Sequence, residues 1–184
     1  MSEQKNTYES VILPEAGFDI RFVTMNHNSP FHWHRELEIL YILNGHATVR
    51  MDGRRYEIDP LDAIVMDYSK IHEVIYEMPQ TMGICIHVSR NLLRRYLADT
   101  ELLEIRCAGD GLTEEDGEAY RRICECLSRL VVLYVNQKNT YHLRSTALIL
   151  EIMACLTEHF SKPVTRQTTE AKVGNMERLD QICT

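Results

Sequence analysis

Residues 31–45 read FHWHRELEILYILNG, and this stretch combines polar metal-ligand side chains with a strongly apolar background. His32, His34 and Glu38 have the same parity, so on an extended strand their side chains point to one face. Two imidazoles and a carboxylate on that face would form a polar site inside an interior built of Leu, Ile and Tyr. Arg35 and Glu36 fall where such a strand is expected to bend.

The composition indicates one domain of an ordinary globular protein. The 184 residues are 45% hydrophobic and 26% charged, and the formal net charge is -7. DNA binding needs a basic surface against the phosphates, which this acidic chain lacks. No apolar run approaches the roughly 18 residues of a membrane span, and the N-terminus has no signal-peptide core, so we expect a cytoplasmic protein with no membrane partner. The six cysteines are therefore predicted to be reduced thiols.

Alternating hydrophobicity between residues 18 and 88 predicts about seven or eight short strands, which favours a β-sandwich or barrel. The segment 18–24, FDIRFVT, has the period of two that is typical of a half-buried strand. Asn44-Gly45 and Asp52-Gly53 predict tight hairpin turns of type I′, in which both residues have positive φ.

Two helices are predicted after the strands. The first follows Thr113 and has an apolar stripe through residues 120–134. The second, residues 141–160, is apolar almost all round, which leaves Ile149, Met153 and Leu156 in need of a further partner. Two partners could cover these residues, the rest of the monomer or a second copy of the chain, and the sequence favours neither over the other. Residues 163–175 form a polar linker, and Asn175 is predicted to cap a helix that Thr184 cuts short.

The spacing H-x-H, three residues, E, six residues, G resembles the first motif of the cupin superfamily, and His72 stands where the second motif carries its histidine. The other positions of the second motif are not matched, since its glycines, proline and asparagine are replaced by Leu61, Ser69, Asp67 and Tyr76. A third histidine at the expected distance argues against histidines that merely decorate an exposed strand.

The ensemble of this motif, RRYEI, the two helices and the tail ERLDQIC resembles the N-terminal domain of AraC-type transcription regulators. The resemblance implies a mainly β fold: a cupin-like double-stranded β-helix barrel followed by a C-terminal pair of antiparallel α-helices. It assigns a sensor barrel with an N-terminal arm to residues 1–105, a helical dimerisation segment to 106–162, and a linker with the start of a truncated DNA-binding domain to 163–184. It also implies a small-molecule effector, a homodimer formed through helices in 113–160, and DNA contacts only through the missing C-terminal domain.

The resemblance also implies which residues form the site. No catalytic residue is predicted, and the effector is expected to contact His32, His34, Glu38, His72, Met66 and Tyr68. The three histidines and Glu38 are in addition suitable ligands for a divalent Zn, Ni, Mn or Fe ion. His87, on the last predicted strand, is interpreted as a packing residue.

Two other functions remain open at this point. The chain could be a small metal-dependent cupin enzyme of the isomerase or dioxygenase type, for which the histidines and glutamate are the right ligands. It could also be a dimerisation module with a vestigial pocket. Metal content and turnover separate the sensor from the enzyme, and a bound small molecule excludes the vestigial pocket.

Overall fold

The computed structural model describes residues 7–25, 27–76, 80–97, 103–109 and 112–164. These residues form twelve strands and three helices. The strands are β1 (Thr7–Tyr8), β2 (Phe18–Met25), β3 (Ser29–Trp33), β4 (Leu37–Asn44), β5 (Ala47–Met51), β6 (Arg54–Ile58), β7 (Ala63–Met66), β8 (His72–Tyr76), β9 (Thr81–Val88), β10 (Leu103–Ile105), β11 (Cys107–Ala108) and β12 (Ser161–Pro163). The helices are α1 (Arg90–Arg94), α2 (Glu114–Asn136) and α3 (Tyr141–His159).

Ten strands form two five-stranded sheets that face each other. The first sheet has the order β1-β3-β8-β5-β6 and the second has the order β11-β7-β4-β9-β2, while β10 and β12 form a separate pair. Apolar side chains from both sheets fill the space between them: Leu40, Ile42, Ala47, Val49, Ile58, Ile64, Met66 and Val74. The predicted mainly β, cupin-like barrel with a following helix pair is confirmed.

Tight turns allow neighbouring strands to pair directly. Asp52 and Gly53 both have positive φ, 53° and 73°, which confirms the type I′ turn between β5 and β6. The second predicted type I′ turn is wrong in its type. Only Gly45 of the Asn44-Gly45 pair has positive φ, because Asn44 still ends strand β4 in an extended conformation.

The stretch 31–45 is not one strand but two. β3 ends at Trp33 in the first sheet and β4 begins at Leu37 in the second, so the chain crosses between the sheets at residues 34–36. The predicted bend at Arg35 and Glu36 is therefore a sheet-to-sheet crossing. His32 in β3 and Glu38 in β4 lie on either side of this crossing, and their side chains still come close to each other.

Helices α2 and α3 cover the outer face of the second sheet. The side chain of Thr113 caps α2 by accepting a hydrogen bond from the Asp116 amide at 3.1 Å, as the sequence predicted. On the sheet side, the hydroxyl of Tyr120 contacts both the amide and the carbonyl of Ala63, at 2.8 and 2.9 Å. These contacts fix α2 to the barrel.

Of the two partners considered for Ile149, Met153 and Leu156, the structure supports the rest of the monomer. All three side chains are buried in the core that the helices share with the second sheet. The pairing of α2 with α3 and the contacts of α3 with β10 and β12 account for this.

Several expectations fall partly outside the described residues. The linker predicted over residues 163–175 begins at Pro163, which ends strand β12, and its part beyond residue 164 lies outside the described residues, as do the helix predicted after Asn175 and Cys183. The five described cysteines are free thiols, as predicted. After residue 105, β11 returns to pair with β7, so the segment 106–162 contributes a strand to the second sheet before its helices begin. Within the described residues, no helix combines the length and the apolar character that a membrane crossing requires.

Candidate functional site

The structure brings together four of the six residues predicted for the site. His32, His34, Glu38 and His72 are between 0% and 8% exposed, and one ligand atom from each lies within 4.8 Å of the others. His32 and His72 are directly paired across β3 and β8, and their ring centroids lie 4.2 Å apart. The result is a polar cluster at one end of an apolar barrel.

Backbone carbonyls orient the three imidazole rings. Nδ1 of His32 lies 2.9 Å from the Pro30 carbonyl, Nδ1 of His72 lies 2.9 Å from the Lys70 carbonyl, and Nδ1 of His34 lies 3.1 Å from the Glu36 carbonyl. A carbonyl oxygen only accepts, so each Nδ1 carries the hydrogen. In the neutral ring Nε2 then presents a lone pair, and this is the tautomer of a metal-ligating histidine.

The carboxylate of Glu38 faces these lone pairs. Its Oε2 atom lies 2.8 Å from Nε2 of His34 and 3.1 Å from Nε2 of His72. Electron-rich atoms at such distances require a cation among them, which is either a proton on an imidazole or a metal ion. The donor set therefore fits a divalent metal, which His32, His34, Glu38 and His72 would hold.

The electrostatics of the metal-free cluster follow from burial and from Glu38. Burial acts to raise the pKa of Glu38, but hydrogen bonds from His34 and His72 outweigh it and hold this pKa well below its ordinary value. Burial acts to lower the pKa of His72, but Glu38 outweighs it and leaves this pKa raised. For His32 and His87 burial prevails and lowers the pKa. A buried carboxylate that stays ionised among imidazole rings is suited to bind a divalent cation.

A family model decides the classification. The model described as the AraC-like ligand binding domain matches residues 16–153, which is most of the chain. The chain belongs to this family. The match includes the barrel, the polar cluster and most of both long helices, so this AraC-like domain carries its candidate site within the matched region.

Several solved structures resemble the AraC-like domain at low identity. The Cnp3 cupin domain of Schizosaccharomyces pombe is 15% identical with a TM-score of 0.40, over 50% of this chain and 72% of that one. A cupin 2 conserved barrel domain protein of Salinispora arenicola is 21% identical with a TM-score of 0.38, over 46% and 76%. The DMSP lyase DddQ of Ruegeria pomeroyi is 22% identical with a TM-score of 0.34, over 39% and 36%. No curated protein sequence matches the chain significantly.

The two remaining predicted residues lie in different surroundings. Met66 is paired with Glu38 across β4 and β7, and its side chain packs in the apolar interior between the sheets. Tyr68 is not brought to the cluster, because it packs in the larger core under the helices, where the guanidinium of Arg90 lies 4.0 Å from the centre of its ring. Burial raises the pKa of the Tyr68 hydroxyl.

Three residues beside the cluster were missed. Cys85 Sγ lies 3.2 Å from Glu38 Oε1, and His87 Nε2 lies 3.7 Å from Glu38 Oε2. Glu9, in the N-terminal arm, places Oε2 3.4 Å from Nε2 of His32. The shared parity of Cys85 and His87 in the last strand was a usable signal, but its apolar neighbours favoured a packing role. No sequence signal distinguished Glu9 from the rest of the arm.

Proposed function

We propose that this AraC-like domain is the effector-sensing and dimerisation part of a bacterial transcriptional regulator that acts in the cytoplasm. In this proposal a small metabolite binds in the barrel, and the resulting structural change is transmitted to the helices through which two copies pair. The observation that carries the proposal is the buried cluster of three histidines and Glu38 within the family's ligand-binding domain. Burying four such groups is costly unless each is matched by a ligand, a metal, a water or one another.

A second step of the proposal concerns how an effector could act on the helices. Strand β4 presents Glu38 to the barrel interior and Tyr41 to the outer face, where the Tyr41 hydroxyl lies 2.7 Å from the hydroxyl of Ser128 in α2. A ligand that changes the packing of β4 would therefore change a contact with α2. It can shift the arrangement only by its differential affinity for the two states.

The metal side of the proposal predicts ligand-dependent stability. Protein purified without a histidine tag should gain about 2.7 kcal/mol of unfolding free energy at a Ni²⁺ or Zn²⁺ concentration of about 100 times Kd. The His72→Ala variant should lose the part of this gain that the three-histidine group provides, because the Nε2 of the fully buried His72 faces the Glu38 carboxylate. Chemical denaturation with and without metal measures both. His142→Ala, on the exposed face of α3, is the control, and an equal gain in all three proteins would contradict the metal site.

The dimerisation side rests on the outer surface of the helices. A groove of about 630 Å³ between α2 and α3 is lined by Arg122, Arg129 and Arg144 together with Glu125 and Glu151. Because it carries both signs of charge, the same groove on a second copy can pair its arginines with the glutamates of the first. We therefore propose a second copy of the chain as its occupant.

Exposed valines on α2 offer a test of the homodimer. Val132 and Val135 are 60% and 71% exposed, so both are available for contact with a second copy. The double variant Val132→Glu/Val135→Glu should sediment as a monomer, whereas the wild type should show a two-fold mass. Unfolding of the monomer should change little, because neither side chain is in its core. Ile12→Glu, at an apolar residue that is 84% exposed in the arm, is the control, and a monomeric wild type at tens of micromolar would contradict the proposal.

A metal-dependent cupin enzyme is the second candidate, and the same cluster favours it, since three imidazoles and a carboxylate suit catalytic as well as sensing metals. The two functions differ in the fate of the small molecule. A sensor releases its effector unchanged, while an enzyme converts it. Mass spectrometry of a bound metabolite before and after prolonged incubation with metal-loaded protein separates them.

A further inference from the structure

Strand β9 brings a thiol and a fourth imidazole to the polar cluster. Cys85 and His87 lie on the same face of β9, opposite Leu40 and Glu38 of strand β4. Both side chains are buried, and together with Glu38 they form a second group whose ligand atoms lie within 4.8 Å of one another. This group shares only Glu38 with the three-histidine set.

The separations in this second group are close to those of a metal site. Cys85 Sγ is 3.2 Å from Glu38 Oε1 and 3.8 Å from His87 Nδ1, and His87 Nε2 is 3.7 Å from Glu38 Oε2. With zinc–ligand bonds of about 2.0–2.3 Å, two ligand atoms of a tetrahedral site lie about 3.3–3.6 Å apart. These distances involve both imidazole nitrogens and both carboxylate oxygens, and Sγ lies 4.0 Å from His87 Nε2. To hold zinc, the His87 ring and the Glu38 carboxylate would have to turn so that one atom of each comes within this range of the sulfur, which leaves a fourth position open.

The two carboxylate oxygens of Glu38 have different nearest neighbours. Oε2 lies within hydrogen-bond distance of His34 and His72, while Oε1 accepts a hydrogen bond from the Cys85 thiol. The two oxygens of one carboxylate can thus serve two adjacent metal positions.

Cys85 also differs from the other buried thiols of the described chain. Cys107 and Cys126 pack within the apolar core under the helices, whereas Cys85 belongs to neither apolar core cluster. The registers of β2 and β9 place Arg21 directly beside Cys85, but burial and the Glu38 carboxylate outweigh its charge and raise the pKa of the Cys85 thiol, so that the incoming metal ion itself must displace the thiol proton. Arg21 is also paired with Asp19 at 2.6 Å, which partly offsets this charge.

We propose that Glu38, Cys85 and His87 form a second, sulfur-containing metal position that is selective for thiophilic divalent ions such as Zn²⁺. Binding breaks the S–H bond of Cys85, forms a metal–sulfur bond and releases one proton to solvent. Thiolate ligands select zinc over magnesium, calcium or manganese, which prefer oxygen ligands. The position goes beyond the proposed effector role and does not depend on it, because it can hold metal whether or not the domain senses a metabolite.

Cobalt(II) substitution tests this position on the full chain, purified without a histidine tag. A thiolate-to-cobalt charge-transfer band in the near ultraviolet is expected in the wild type and in His32→Ala, which alters only the three-histidine group. The band should be lost in Cys85→Ser and kept in the matched control Cys107→Ser. A wild type without the band, a Cys85→Ser variant that keeps it, or loss in Cys107→Ser would overturn the proposal.

X-ray absorption of the zinc-loaded wild type provides a measurement that does not depend on how the variants fold. One sulfur neighbour at about 2.3 Å is expected, and a zinc shell of nitrogen and oxygen alone would refute the position. Sedimentation of the same samples reports on dimerisation independently. A failed metal position with an intact dimer is thereby distinguished from failure of the proposed function.

Discussion

Replacing Glu38 with alanine is expected to abolish divalent metal binding throughout the barrel. Glu38 belongs to both candidate metal groups, and it is the carboxylate that balances the positive charge of an incoming ion. His32→Ala or Cys85→Ser removes a ligand from one group only, so each should leave the other group able to bind. Loss of a second-shell partner alone typically weakens metal binding 10- to 100-fold, so loss of this shared ligand should cost at least about 100-fold.

Isothermal titration with Zn²⁺ and Ni²⁺ on tag-free protein measures this effect. Glu73→Ala is the matched control, because Glu73 is a carboxylate on β8 that pairs with Arg50 outside the barrel, at 3.1 Å. The control should bind metal like the wild type. Zinc affinity of Glu38→Ala within a factor of a few of the wild type would show that neither group acts as a metal site.

The second large effect is expected from Gly83→Ala, which should lower the unfolding free energy by about 3 kcal/mol or more. Gly83 lies in β9 opposite Ile42, next to the register irregularity between Ile42 and Asn44. A Cβ atom on Gly83 would overlap the carbonyl oxygen of Tyr41, which belongs to the backbone of β4 and cannot rotate away. Strands β4 and β9 would have to separate at this pair, in the same ladder that aligns Glu38 with His87.

Urea denaturation of Gly83→Ala beside Gly117→Ala provides the comparison. In Gly117→Ala the added methyl would have only the end of the Arg121 side chain within reach, at 3.8 Å, and alanine in a helix is favoured over glycine by about 0.5–1 kcal/mol. We therefore expect opposite signs for the two substitutions. A Gly83→Ala protein as stable as the wild type would mean that β4 and β9 do not approach each other as closely as described.

Most of the polar cluster could be predicted from the sequence, because three of its four residues lie within a short stretch of the chain. His32, His34 and Glu38 are close in the chain, and their parity survives the sheet crossing at residues 34–36. His72 was located by its position in a known motif. These predictions needed no knowledge of the partners of any strand.

The surroundings of other residues could not be predicted without knowing which strands and helices pack against them. Tyr68 lies only four residues before His72, but its side chain packs under the helices and not inside the barrel. His87 has the same apolar neighbours as an ordinary core histidine, and only the pairing of β9 with β4 places it opposite Glu38. The apolar faces of α3 likewise cannot be assigned from their composition, since a sheet, a neighbouring helix or a second copy could each cover them.

Local features were predictable from the amino-acid sequence: alternating strands, the Asp52-Gly53 turn, the Thr113 cap and the spacing of the first three site residues. These follow from backbone geometry and side-chain periods that act over a few residues. Tertiary contacts are what place β9 beside β4, share Glu38 between two groups of ligands, and cover the apolar face of α3 within the monomer. Such contacts join residues that are far apart in the chain, and they form only when closure of the two sheets buries enough apolar surface to offset the lost conformational entropy.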